Sequence, residues 1–366
     1  MKNMSPIVVN ARFLSQKVTG VQRFAQEISL QLKQQVEGIR FVCPHDVRQE
    51  ALAAELGAEI VGKRIGHPWE QWDLPRELRQ RENPLLINLM STAPIIYKNQ
   101  IATLHDINFV RFPKSYSRSF GLFYRFLIPM MLKRIRMLLT VSNFSKKEIS
   151  QYYKIREDLI KVIENAVSEN MTSPQHLKKN KINDGKIKYV LAVSSTNYHK
   201  NFQRLVDAFI RLPEGDQTML YVVGEESASF RANEISVHDH PSIKFLGRVT
   251  DPELVSLYQG ASVFAFPSLY EGFGIPPLEA QANGCPVVAS NMAAIPEVLK
   301  DSAIYFDPLD IDAMTRALHA VLNNESLRGD LIQKGYTNVA RFSWEKSARS
   351  LISVIGEAMF DCNISN

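Results

Sequence analysis

Two carboxylates, Glu271 and Glu279, flank the turn Gly272-Phe273-Gly274-Ile275-Pro276-Pro277. The glycines let backbone amides come close to a ligand, and the prolines suit the first turn of a helix, where their missing N–H groups have no partner to lose. A helix N-terminus carries partial positive charge, so this turn favours phosphate or sugar oxygens. Carboxylates only accept hydrogen bonds, so Glu271 and Glu279 suit a ligand rich in hydroxyl donors. The plainer alternative makes Glu279 a first-turn acid that complements the helix dipole and Glu271 a solvated loop residue. A second segment with chemical potential is His199-Lys200-Asn201, where a lysine can hold a diphosphate as a point charge and stabilise a leaving phosphate. Lone loop lysines are ordinarily solvated. In the first half, Gly20 precedes an amphipathic run, and His105-Asp106 follows an apolar one. Trp69, Trp72 and Asp73 suit either packing or the lining of a second substrate's site.

These residues are positioned by short apolar strands that alternate with helical patterns, which predicts an α/β chain with parallel sheets. The first half offers strands near Ile7–Asn10, Arg40–Cys43, Leu85–Asn88, Ile101–Leu104, Met137–Val141 and Lys161–Ile163, with helices near Val21–Leu32 and Phe120–Arg136. The second half offers Lys188–Val193, Met219–Val223, Ile243–Leu246, Val263–Phe266, Val287–Ala289 and Ile304–Phe306. Lys200 and Glu271 both follow strands, at the carboxyl ends where open α/β sheets bind ligands. Pro252 and Gly260 bracket a further helix, with Gly260 expected just past its end.

The run from Val263 to Asn291, with Glu271-Gly272-Phe273-Gly274 and Glu279 at its centre, resembles the nucleotide-sugar site of retaining glycosyltransferases of family four. That resemblance implies the GT-B fold: two Rossmann-like domains, here residues 1–165 for the acceptor and 188–343 for the nucleotide sugar. A linker over 166–187 joins them, and a helix over 344–366 crosses back to the first domain. It further implies transfer from a nucleoside diphosphate sugar with retention, no tightly bound metal and no other cofactor. Lys200 would balance charge on the diphosphate, and Glu279 would hold the ribose. Glu271 and the amides of Gly272, Phe273, Gly274 and Ile275 would hold the sugar and phosphate. Family members place a glycine loop where Gly20 stands and a His-Asp pair where His105-Asp106 stands, with the histidine reaching the donor sugar and Asp106 supporting it. Many carry an arginine about six residues before the lysine, where this chain has Ser194-Ser195. Arg248, Arg12 and Arg23 are the candidates to replace that charge, and the region around Arg248 is a candidate for base recognition. A phosphorylase or epimerase of the same architecture, and a membrane-associated scaffold that binds without turnover, are the alternatives.

At 366 residues and 45% hydrophobic content the chain is long enough for two well-filled cores. Its three cysteines lie far apart, without the pairing of a metal or redox site, which reads as a reduced, cytoplasmic protein. No signal-peptide pattern and no membrane-length apolar run is expected. The net charge of +5 is modest, but seven basic residues and no acid fall between Arg111 and Arg136, interleaved with aromatics. Helical spacing of Phe120, Phe123, Tyr124 and Leu127 predicts one apolar face, with Pro129 kinking or ending the helix. Such a stretch suits an anionic membrane surface or a diphosphate-linked acceptor, or else a packed helix with a solvated basic back. No nucleic-acid-binding motif is present. The setting expected is synthesis of a bacterial surface polysaccharide or lipid-linked oligosaccharide, with a saccharide or lipid-linked saccharide as acceptor.

Overall fold

The computed structural model describes residues 6–172, 187–193, 197–213, 218–224 and 240–360. The chain divides into two units: the described residues up to Arg111, Ser117–Asn165 and from Ser343 onward form unit 1, and Phe112–Tyr116 with the described residues of Ala166–Phe342 form unit 2.

In unit 1 seven strands, β1 (Ile7–Asn10), β2 (Arg40–Cys43), β3 (Glu59–Ile60), β4 (Leu85–Asn88), β5 (Gln100–Thr103), β6 (Met137–Thr140) and β7 (Ile160–Val162), pair in the order β3-β2-β1-β4-β5-β6-β7. Every pairing is parallel. β1, β4, β5 and β6 are buried along their whole length, which is why their sequences read as continuous rather than alternating apolar runs. The two-residue β3 was not expected, since Glu59-Ile60 is too short to show a pattern. Between the strands lie α1 (Gly20–Gln35), α2 (Glu50–Leu56), α3 (Gly66–Pro68), α4 (Leu74–Gln80), α5 (Asn108–Arg111), α6 (Arg118–Leu132) and α7 (Asn143–Tyr153).

α6 continues through Pro129 and ends at Leu132, short of the Arg136 expected; the proline falls in its last turn, and the carbonyl it strands belongs to Arg125, an exposed residue that water can reach. Its buried stripe is Leu127, Ile128 and Met131 with Tyr124 beside them, while Phe123 is exposed.

Unit 2 holds six parallel strands, β8 (Lys188–Val193), β9 (Thr218–Val223), β10 (Ile243–Gly247), β11 (Val263–Phe266), β12 (Val287–Ser290) and β13 (Ala303–Phe306), in the order β10-β9-β8-β11-β12-β13. Its helices are α8 (Phe202–Ile210), α9 (Asp251–Gly260), α10 (Ile275–Ala282), α11 (Ile295–Leu299), α12 (Ile311–Asn323) and α13 (Glu325–Val339). Gly260 is the last residue of α9 rather than the one beyond it. The apolar face of α8 (Phe202, Leu205, Val206, Phe209) and that of α12 (Met314, Leu318, Val321, Leu322) share a core with Val190, Leu220, Val263 and Val288 of the sheet.

The last helix, α14 (Trp344–Phe360), returns to unit 1. Trp344, Ala348, Leu351, Ile355 and Ala358 form one buried stripe at helical spacing, and the Trp344 ring lies edge-on to Phe24 of α1. Ser347 Oγ donates to the Glu164 carbonyl, Arg136 donates to the Ala358 carbonyl, and Lys161 pairs with Glu357. The linker expected over 166–187 falls mostly on residues outside those described.

Candidate active site

In both sheets the strand order reverses once, between β1 and β4 in unit 1 and between β8 and β11 in unit 2. The crevice outside the carboxyl ends at such a reversal is the ligand-binding position of open α/β sheets. Lys200 follows β8 and Glu271 follows β11, so the two residues come from the two strands of unit 2 that flank the reversal.

They meet there. Lys200 Nζ donates to Glu271 Oε1 at 2.7 Å, with the lysine side chain 22% and the glutamate side chain 14% exposed. The ammonium also lies 5.9 Å from the Phe266 ring centroid. An ammonium has three N–H donors, and Glu271 takes one, leaving two for phosphate oxygens. The next residue, Asn201, sits at φ 57°, a left-handed conformation that asparagine tolerates better than most residues. Its buried amide donates to the carbonyls of Pro267 and Pro308 at 3.1 and 2.7 Å, which fastens the lysine loop to the turns after β11 and β13. Arg204 donates to Asn201 Oδ1 at 2.7 Å.

Gly274, at φ 101°, caps α10, and a Cβ on it would reach 3.4 Å from the Phe266 ring. That distance is an ordinary contact, so glycine is needed here for its backbone conformation. The turn thereby points into a helix that starts at Ile275, with Pro276 and Pro277 in its first turn as expected. Glu279 lies one position beyond that first turn, so the dipole-complementing alternative loses force. Its Oε2 instead accepts from Tyr258 Oη at 3.1 Å, and Tyr258 is fully buried. Gly272 and Phe273 are buried and Ile275 half-buried; the Phe273 ring packs edge-on to Phe342, so only its backbone is left to serve a ligand. Arg248 is exposed and follows β10, at the same sheet edge as Lys200 but two strands away. Ser194-Ser195, where the family arginine is missing, lie outside the described residues.

Gly20 and His105 belong to unit 1. Gly20 is the first residue of α1, behind the capping pair Thr19 and Gln22, and is exposed. Amides in a first turn have no partner within the helix, so Gly20 and Val21 can serve an anion. His105 is buried after β5, its ring edge-on to Phe24, and burial pushes its pKa down to about 4. Its Nε2 lies 3.1 Å from the Leu89 carbonyl. A carbonyl only accepts, so Nε2 carries the proton and Nδ1 is the bare nitrogen, able to accept from a hydroxyl. The Leu89 carbonyl thus holds one side of the ring, and Asp106 accepts from the Asn108 amide at 2.9 Å.

A polar cluster that the sequence did not disclose fills the reversal point of unit 1. Asn10 and Asn88 end β1 and β4 and bond to each other at 3.0 Å. Glu70, from the one-turn π-helical segment Trp69–Asp73, accepts from Asn10, from Arg12 Nε at 3.1 Å and from Thr92 Oγ1 at 2.8 Å. Burial opposes its ionisation, but Arg12 and His67 outweigh that and hold the carboxyl down at about 2. Arg12 is thereby paired with a buried carboxylate within unit 1. Trp69 is core, its Nε1 donating to the Val61 carbonyl at 2.7 Å, and Asp73 caps the 62–64 turn through the Lys63 and Arg64 amides. Trp72 is 60% exposed.

Two doubly wound units, one with a lysine–glutamate pair at its reversal point, are the frame on which the site is built. The sequence matches the profile for Glycosyl transferases group 1 over residues 173–338 and that for Glycosyltransferase Family 4 over residues 18–170. It is 30% identical over 272 residues to the O-antigen chain mannosyltransferase RfbU of Salmonella typhimurium, covering 73% of this chain and 72% of that one. The O-antigen chain mannosyltransferase B of Escherichia coli is 29% identical over 69% of each chain. Among solved structures, Anabaena HepE in complex with UDP and glucose superposes with a TM-score of 0.75 at 17% identity, covering 97% of this chain and all of that one. WaaG, a glycosyltransferase involved in lipopolysaccharide biosynthesis, gives a TM-score of 0.70 at 15% identity over 95% of this chain and 99% of its own. The chain belongs to the group 1, family four glycosyltransferases, and it is a glycosyltransferase of GT-B architecture.

Proposed function

We propose that this enzyme transfers a mannosyl residue from a nucleoside diphosphate mannose, with retention, to a hydroxyl of a saccharide or lipid-linked saccharide during synthesis of a bacterial surface polysaccharide. The observation that carries the reading is the Lys200–Glu271 pair at the reversal point of unit 2, ahead of the glycine-capped head of α10. The similarity to the O-antigen chain mannosyltransferases RfbU and B supports the sugar and the setting. Lys200 neutralises charge that builds on the diphosphate as the bond from the anomeric carbon to phosphate oxygen breaks. Glu271 and the amides of Gly272, Phe273, Gly274 and Ile275 hold sugar hydroxyls and the neighbouring phosphate, and Glu279, steadied by Tyr258, holds the ribose. Gly20 and the bare Nδ1 of His105 are the donor ligands assigned to unit 1, and Arg248 is assigned to the nucleotide.

The acceptor oxygen forms its bond to the anomeric carbon on the face the phosphate leaves, and its proton passes to a phosphate oxygen. Glu271 is ion-paired with Lys200, which suits an electrostatic partner better than a nucleophile. Positive charge at the diphosphate comes from Lys200 and the helix head, so the reaction requires no tightly bound metal. The acceptor falls to unit 1, and α6 seats that unit on anionic lipid, as its exposed Leu122, Phe126 and Met130 among Arg118, Arg125 and Lys133 support.

Thermal unfolding against a panel of GDP, UDP, ADP and dTDP and their sugars tests the donor assignment. A ligand that binds only the folded state raises the melting temperature according to its affinity. One nucleotide should raise it by several degrees, equally with and without EDTA, and the rise should vanish in Lys200→Ala and Glu279→Ala. A rise that survives both substitutions would remove these residues from the site, and one abolished by EDTA would restore a metal to it.

A further inference from the structure

Residues 112–116 stand in sequence between α5 and α6 of unit 1, yet they belong to unit 2. The Phe112 ring lies 6.5, 6.1 and 5.8 Å from the rings of Tyr198, His199 and Tyr270. Tyr198 and His199 immediately precede Lys200, and Tyr270 immediately precedes Glu271. Ser115 Oγ lies 3.1 Å from His199 Nδ1. His199 is buried, and burial with the neighbouring Lys200 charge holds its pKa near 4, so the ring facing Ser115 is neutral at physiological pH. The His199 carbonyl accepts from the Leu269 amide at 2.7 Å, which ties the lysine loop directly to the loop that carries Glu271.

Both charged groups stand on irregular segments. Lys200 ends a three-residue 3-10 helix, and Glu271 lies in an irregular turn between β11 and α10. Residues 112–116 press on both at the position before each charged group, through an aromatic wedge and one hydrogen bond.

We propose that Phe112 and Ser115 are positioning residues for the transfer, a clip that keeps Lys200 and Glu271 in register for the donor diphosphate. This rests on Lys200 and Glu271 serving the donor, and the test has one arm independent of that assignment.

The first arm measures acetylation of every lysine of the full-length protein by acetic anhydride, read by mass spectrometry. Phe112→Ala and Ser115→Ala should raise the rate at Lys200 by about three-fold or more, while lysines outside the loop keep their rates. The second arm measures steady-state transfer with the nucleotide sugar that the thermal panel selects. Both variants should lower kcat about ten-fold or more with acceptor KM little changed, and Phe112→Tyr and Ser115→Thr should restore most of the loss.

Unchanged Lys200 labelling in both alanine variants would overturn the proposal whether or not a donor had been found. A general rise at all lysines would report unfolding instead. In that case the conservative variants decide: labelling at Lys200 must track kcat across the whole set, and scatter between the two sinks the clip. Selective Lys200 exposure with undiminished kcat would leave the clip real but remove Lys200 from the chemistry.

Discussion

At the residue scale the site is built by pairing groups whose environments fix their charge. His105 and His199 have an ordinary pKa near 6.5 and are each held at about 4, chiefly by burial. The unfolded chain takes up two protons between these values that the folded chain refuses. The unfolded state binds more protons there, so stability rises with pH across the window and falls as pH drops from about 6.5 to about 4. Below it Glu70 acts in the same direction, since its carboxyl is held at about 2 against an ordinary 4.5. Melting temperature at constant ionic strength should therefore fall steadily from pH 6.5 to pH 4, and the slope should be shallower in His105→Gln. Equal slopes in the two proteins would mean that the imidazole is not held neutral. Glu271, Glu279, Lys200 and His105 were legible in the sequence because each follows a recognisable strand. The partners that fix them were not. Tyr258 stands 21 residues before Glu279, Leu89 stands 16 before His105, and Glu70 stands 58 after Arg12; no local pattern encodes contacts of that reach.

At the scale of the element, strands buried on both faces read cleanly from sequence, as continuous apolar runs between glycines and prolines, and nearly all were placed within a residue or two. β3 and the π-helical turn at Trp69–Asp73 were invisible because both are set by tertiary pairing rather than by composition. α6 shows the limit of helical periodicity. Spacing assigned Phe120, Phe123, Tyr124 and Leu127 to one apolar face, but the helix is apolar around most of its circumference, and a stripe can be drawn more than one way. The structure chose the one that leaves Leu122 74% and Phe126 64% exposed. A surface with bulky apolar side chains standing among arginines and lysines should bind vesicles of mixed anionic and neutral lipid at low salt and release them as salt rises. Leu122→Ser with Phe126→Ser should weaken that binding by about ten-fold while leaving nucleotide-induced stabilisation untouched. Retention of full vesicle binding in this variant would place the membrane contact elsewhere. No helix among the described residues is long and apolar enough to cross a membrane.

At the scale of the whole molecule, the repeated alternation of strand and helix announced two doubly wound sheets, and a chain of this length has room for both. What periodicity does not show is which pieces of chain each unit owns. Unit 1 is assembled from three stretches of sequence and unit 2 from two. The final stretch matters to unit 1 because the buried stripe of α14, from Trp344 to Ala358, closes part of its core. Truncation after Phe342 should therefore lower the melting temperature by ten degrees or more and expose apolar surface to a hydrophobic dye, and supplying residues 343–366 as a separate peptide should recover part of the loss. An unaltered melting curve would mean that α14 is dispensable. This interleaving also sets the rules of recombination. A single crossover near residue 165 yields a chimera whose first unit carries a foreign closing helix and whose second carries a foreign wedge at Phe112. Exchange of specificity between relatives would require breakpoints at 111, 116, 165 and 342 together, so evolution by swapping halves is penalised here and substitution within a unit is the easier path.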